Sequence, residues 1–205
     1  KEAVIVDTRH NGGGWLHDDL VTLLNGKEYQ RFVPRGQYIG SDPFNKWLKP
    51  SCVMVCEDNY SNAHGFPWVY KELKVGKLVG APVPGTMTAV WWESQIDPTI
   101  IFGVPQVGCM DMRGQYHENQ ELQPDIEVYN SPEKQLKGED EQLEAAVKEM
   151  LKEADGKAIT VFYRCLPYGV PQWQEDRWFA VACLCCLWDA ESDNGAPFEK
   201  IVSKL

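Results

Sequence analysis

The segment Asn59-Tyr60-Ser61-Asn62-Ala63-His64-Gly65-Phe66-Pro67 sets a serine between an apolar run at 51–56 and a stretch of helical character at 63–73. The chemistry open to such a residue is nucleophilic attack on a carbonyl. A serine at a strand-to-helix junction can expose its hydroxyl beside the unpaired N–H groups of the helix start, whose partial positive charge stabilises an oxyanion. The same residue also fits an ordinary helix N-cap, its oxygen folded back onto the helix's own amides. A serine hydroxyl attacks well only when a base takes its proton. Four histidines are available in the chain. His10 and His17 border the run Gly12-Gly13-Gly14, His64 follows Ser61 by three residues, and His117 abuts Glu118.

The elements that must position these groups read as an alternation of strands and helices. Residues 3–8 form an apolar run of the kind a buried parallel strand shows, and the triple glycine then breaks the chain. Leu16, Leu20, Leu23 and Leu24 recur at helical spacing. Residues 30–49, with Pro34 and Pro43, read as a loop. A second buried strand covers 51–56, and a second helix covers 63–73 if Pro67 lies in its first turn. Residues 77–80 make a short third strand, and 88–109 read as antiparallel hairpins laid against the core. Within them, Trp91-Trp92 is either core or a surface for substrate or partner. An extended segment at 124–128 precedes an amphipathic helix at 139–154, with Leu143, Ala146, Val147, Met150 and Leu151 inward.

Composition narrows the function classes. The 205 residues are 43% hydrophobic, enough for a sizeable core. A net charge of −10 argues against binding dominated by nucleic-acid phosphates; Lys71, Lys74 and Lys77 are the nearest approach to a basic patch and read as a solvated face. No apolar run is long enough to span a membrane as a helix. The seven cysteines, an odd number, cannot all pair internally, and no CxxC pair or histidine at zinc spacing occurs. Buried free thiols are therefore expected, which favours a reducing, cytoplasmic setting, and neither metal nor cofactor is expected.

Four motifs fall in a fixed order: Val6-Asp7-Thr8-Arg9-His10-Asn11-Gly12-Gly13-Gly14; Asn59-Tyr60-Ser61-Asn62-Ala63 with Phe66-Pro67; residues 73–80 followed by Pro84-Gly85-Thr86; and Glu118-Asn119 followed by Gln123-Pro124-Asp125-Ile126-Glu127-Val128. In this order residues 3–154 resemble the catalytic core of the C-terminal-processing peptidases, and specifically their tricorn-like branch. The resemblance implies an α/β fold with a crotonase/ClpP-like core of stacked ββα units, the hairpin region added to it. It implies Ser61 as nucleophile and Asn62 as donor of one oxyanion-hole N–H, with the other from Gly13 or Gly14. Glu118 matches the acidic residue that orients the catalytic network in this branch; its plain alternative is a surface carboxylate. The processing branch takes a lysine as base, and Lys71 and Lys74 follow the nucleophile. The tricorn-like branch takes a histidine upstream of the Asp7 strand, so the resemblance implies that the base is not in this chain. His64 and His117 are the candidate substitutes; both otherwise read as cap-region or surface histidines. The implied partner is a peptide or protein substrate, with room for a homo-oligomer, in a family found in both cytoplasm and periplasm.

The composition changes near Gly156, which divides a core at 1–155 from an extension at 156–205. The extension reads as mostly helical, and residues 162–167, 178–184 and 198–205 faintly resemble the helical small subunit of Cascade-type CRISPR complexes. That likeness implies a protein or RNA partner for the extension; a capping or oligomerising role is the alternative. A non-catalytic binding or assembly module is the rival reading for the whole chain.

Overall fold

A computed structural model describes residues 1–154 and the backbone of 159–162. Five strands make a parallel sheet in the order β8-β5-β4-β1-β9: β1 (Ala3–Asp7), β4 (Ser51–Val55), β5 (Lys77–Gly80), β8 (Ile126–Glu127) and β9 (Ile159–Phe162). Every residue of β1 and β4 is buried, as central strands covered on both faces must be. The pleat sends alternate side chains to opposite layers. Ala3, Ile5, Cys52, Met54 and Val79 meet α4 (Glu141–Glu153) through Leu143, Ala146 and Met150. Val4, Val6, Val53, Val55 and Leu78 meet α1 (His17–Leu24) and α2 (Asn62–Glu72) through Val21, Leu24, Phe66 and Tyr70. The result is an α/β sandwich in which both Ser61 and the triple glycine follow the carboxyl ends of neighbouring central strands.

Several expectations are revised. Residues 30–49 are not wholly loop: β2 (Gln30–Phe32) and β3 (Gly40–Asp42) pair antiparallel. The exposed Gln30-Arg31-Phe32 has no buried face to generate the alternation that would betray a strand. Pro67 is the sixth residue of α2, beyond its first turn. Proline lacks the N–H that would reach Ala63 O, but Asn59 Nδ2 donates to that carbonyl at 3.0 Å and replaces the lost bond. The hairpin of β6 (Ala89–Ser94) and β7 (Ile101–Val107) forms its own two-stranded sheet and is not laid on the core. Trp91, Trp92, Ile101 and Phe102 are each more than half exposed.

The sheet also continues past the compositional break at Gly156, since β9 pairs with β1 from Ala3↔Ile159 to Val6↔Phe162. The β-branched run Ile159-Thr160-Val161 suits that place. The rest of the extension, 156–158 and 163–205, lies outside the described residues, and with it the helices and nearly all of the CRISPR-like segments expected there. A short helix, α3 (Pro132–Gln135), leads to α4, whose Asp140 cap accepts from Leu143 N at 3.0 Å. No helix among the described residues is long and apolar enough to cross a membrane. Cys52 and Cys56 are free and buried.

Candidate active site

The loop after β1 and the loop after β4 are tied together before either reaches its helix. Thr8 donates through both N and Oγ1 to Met54 O, at 3.0 and 2.7 Å. Asn59 is 1% exposed and fully employed: its Nδ2 donates to Thr8 Oγ1 (2.9 Å) and Ala63 O (3.0 Å), and its Oδ1 accepts from Cys56 N (3.3 Å). Tyr60 N donates to Asn11 O at 3.0 Å, and His10 N to Cys56 Sγ at 3.1 Å. These bonds fix the triple glycine relative to Ser61.

Ser61 has φ 55° and ψ −120° and makes no side-chain capping bond. An N-cap residue has β-region dihedrals and its side-chain oxygen accepts from the helix amides; Ser61 does neither. Positive φ is costly for a residue with a Cβ, and strand-to-helix turns that lift a serine hydroxyl away from its own helix have this strained geometry. Gly13, at φ +104°, lies directly against it. A Cβ built on Gly13 would sit 2.8 Å from Ser61 Cβ and 3.1 Å from Asn62 N. Glycine is thus required there twice over, by dihedral and by space.

Gly13 N already donates to Asn11 Oδ1 at 2.8 Å, whereas among the described residues Gly14 N has no acceptor. Of the two glycines proposed from the sequence for the oxyanion hole, Gly14 therefore has the free amide, and Gly13 supplies the space. Asn62 N opens α2, where a helix leaves its N–H groups unpaired. Together these amides and the uncapped hydroxyl of a partly buried serine could bind and attack a carbonyl.

Glu118 lies at the root of the hairpin. Its Oε2 accepts from Met87 N (2.9 Å) and Thr88 N (2.7 Å). Burial acts to raise its pKa, but the bonds from Thr88 and Met87 and the nearby His64 outweigh this and hold it below the usual carboxylate value. The carboxylate is thus ionised and organises the chain beside α2, with Met87 seated over Gly65.

Neither candidate substitute base is on the surface. His64 is 0% exposed and both ring nitrogens lack a hydrogen-bond partner. Burial, then His117, push its pKa down to about 4, with Glu118 opposing. An imidazole so reluctant to take a proton is a poor general base at neutral pH. His117 is buried against Trp68, ring centroids 3.9 Å apart, and burial lowers its pKa against the pull of Asp111 and Glu72. Among the described residues, Ser61 Oγ has no hydrogen-bonded base. Lys71 is engaged elsewhere, with Asp125 Oδ1 at 3.0 Å and Gln123 O at 2.7 Å. No group of three or more metal-ligating side chains converges among the described residues.

Two features escape sequence reasoning. Asn59 and Thr8 look like turn residues until their contact across 51 positions is seen. His17 Nδ1 lies 2.8 Å from Asn62 Nδ2, so the first residues of α1 and α2 are joined beside Ser61. A cleft of about 490 Å³, with Glu57, Pro84, Gly85, Asn119, Glu121 and Tyr129 in its walls, opens at the carboxyl ends of β4 and β5.

Comparison with known proteins bears on the family and the fold. The chain is 26% identical to the tricorn protease of Thermoplasma acidophilum over 153 residues, covering 74% of this chain and 14% of that protein. It is 26% identical to tricorn protease homolog 1 of Streptomyces coelicolor over 148 residues, covering 72% of this chain and 14% of that protein. It thus spans about a seventh of the length of these relatives. The crystal structure of the tricorn protease superposes with a TM-score of 0.65 at 24% identity, covering 75% of this chain and 15% of that one, which shows a shared fold. The model of peptidase family S41 matches residues 1–128, and the chain belongs to that family.

Proposed function

We propose that this chain is a serine-type peptidase core that hydrolyses peptide bonds through Ser61. The observation that carries the reading is the strained Ser61 backbone with Gly13 packed against it, which leaves the hydroxyl uncommitted. Ser61 Oγ attacks the peptide carbonyl, and the oxyanion is held by the amides of Asn62 and Gly14. The serine proton passes to a base and from there to the departing amine; water then attacks the acyl-enzyme and returns the serine. None of the four histidines of the sequence takes this role, because His64 and His117 are enclosed and resist protonation, His10 pairs with Asp58 and His17 with Asn62; on this reading the base is a histidine carried by a segment outside these 205 residues. Glu118, ionised and anchored to the hairpin root, is available to orient that histidine. The fold on this reading is of the crotonase/ClpP-like type, and the substrate is a peptide or protein.

The absence of a base bonded to Ser61 among the described residues favours one rival. In it the fold serves as a non-catalytic binding module, with residues 156–205 engaging a protein or RNA partner. A fluorophosphonate probe separates the two. Labelling of the wild type but not of Ser61→Ala supports the peptidase. A folded wild type that stays unlabelled even when the histidine-bearing segment is added in trans supports the module.

A further inference from the structure

The tie between His17 and Asn62 lies outside every role assigned above. Asn62 Nδ2 can only donate, so His17 Nδ1 accepts and the ring proton resides on Nε2. Asn62 is 7% exposed, which makes the bond costly to lose. The edge of the Trp15 ring meets His17 with centroids 5.8 Å apart at 84°, so the imidazole is held by the residue that follows the triple glycine.

The place of this bond gives it a purpose. Residues before Ser61 are held by Asn59 and by the bond from Tyr60 N to Asn11 O. The backbone N–H of residue 62, as the first of a helix, has no intrahelical acceptor, and the residue's side chain is what ties it to α1. That same N–H is the proposed oxyanion donor. We infer that His17 is a positioning residue: by accepting from the Asn62 side chain it orients the Asn62 amide toward the carbonyl that Ser61 attacks. The inference rests on the reading of Ser61 as nucleophile.

The test exploits shape. The Oδ1 of an asparagine stands where histidine has Nδ1, so His17→Asn keeps an acceptor for Asn62 while losing the ring; His17→Leu loses both. Inactivation by a fluorophosphonate yields a rate constant for reaction and a separate constant for binding. Removing one oxyanion donor costs about 10²–10³ in rate, and misdirecting one should cost about tenfold or more. The expected result is that His17→Leu reacts about tenfold slower with unchanged binding, and His17→Asn reacts within about threefold of wild type. Asn62→Ala, which keeps the backbone N–H, should match His17→Leu, and the double variant should lose no more. If His17→Leu fails to fold, Asn62→Ala carries the same test. A leucine variant as fast as wild type overturns the inference, as does an asparagine variant as slow as leucine. If the wild type does not react even with the histidine-bearing segment added in trans, the peptidase reading has failed, and the side-chain amide resonances of Asn62 decide the matter. A shift in His17→Leu that His17→Asn restores supports the tie, and its absence refutes it.

Discussion

His64 should make this domain acid-sensitive in a way that one substitution abolishes. The imidazole is wholly buried with no partner for either nitrogen, and its pKa is about 4 in the folded protein against an ordinary 6.5. The unfolded chain therefore binds a proton at a pH where the folded chain does not. Stability from this group is fully present above the ordinary value and is lost as pH falls toward the folded one. At about 1.4 kcal/mol for each pH unit, the full loss is roughly 3 kcal/mol, of which about 2 kcal/mol has gone by about pH 5. His64→Leu is close in volume and cannot take up a proton. It should equal or exceed wild-type stability near neutrality, because it also removes two unpaired buried nitrogens. Urea unfolding followed by tryptophan fluorescence, at intervals from about pH 8 to about pH 5, gives the difference directly. The two stability curves should diverge by about 2 kcal/mol over that interval, the wild type falling faster. Paralleled curves, or a His64 resonance that titrates at its ordinary value, would show that the ring is not enclosed as described.

The other predictions concern the frame around Ser61. Gly13→Ala would force a Cβ to within 2.8 Å of Ser61 Cβ at a φ of +104°, so labelling by a fluorophosphonate should be lost and stability should fall by about 1–3 kcal/mol in urea titration. Arg9→Met should destabilise by about 3–5 kcal/mol at neutral pH, because Arg9 alone bridges Asp7 and Asp140, each at 2.8 Å, and its removal leaves Asp7 buried without a counter-charge. That loss should shrink in acid, where the carboxylates become neutral, and the same titration at low pH checks it.

The strands were legible because central parallel strands are apolar throughout: residues 3–7 and 51–55 carry the signal in every position. Helix α4 was legible from its single apolar stripe. What the sequence hid is what depends on distant partners. The bond from Asn59 to Ala63 O satisfies the carbonyl that Pro67 cannot reach, and no local rule anticipates it. His64 and His117 read as surface residues because histidine is polar, whereas α2 turns one inward and Trp68 covers the other. The hairpin read as laid against the core because it is apolar, yet no described element packs broadly against it. Ser61 was legible as a junction serine but not as a strained one, because its φ is set by the glycine loop packed against it and by a tie 51 positions long.

That strain bears on the choice between catalysis and capping. A cap needs nothing from the rest of the protein: β-region dihedrals are intrinsically comfortable, and the serine oxygen finds the helix amides unaided. The dihedrals of Ser61 cost of order 1–3 kcal/mol and persist only where the surroundings leave no alternative. Here the surroundings are Asn59, bonded three ways, Thr8, doubly bonded to Met54, the Tyr60–Asn11 bond, and a glycine that leaves no room for relaxation. All of these act on two loops at the carboxyl ends of adjacent strands, where the amides of Gly14 and Asn62 remain uncommitted. A binding module built on this fold could relax Ser61 into a cap and gain stability, for instance by an alanine-compatible turn at residue 13. A nucleophile could not, because the oxygen of a relaxed serine would accept from the amides of its own helix and be turned away from the substrate carbonyl.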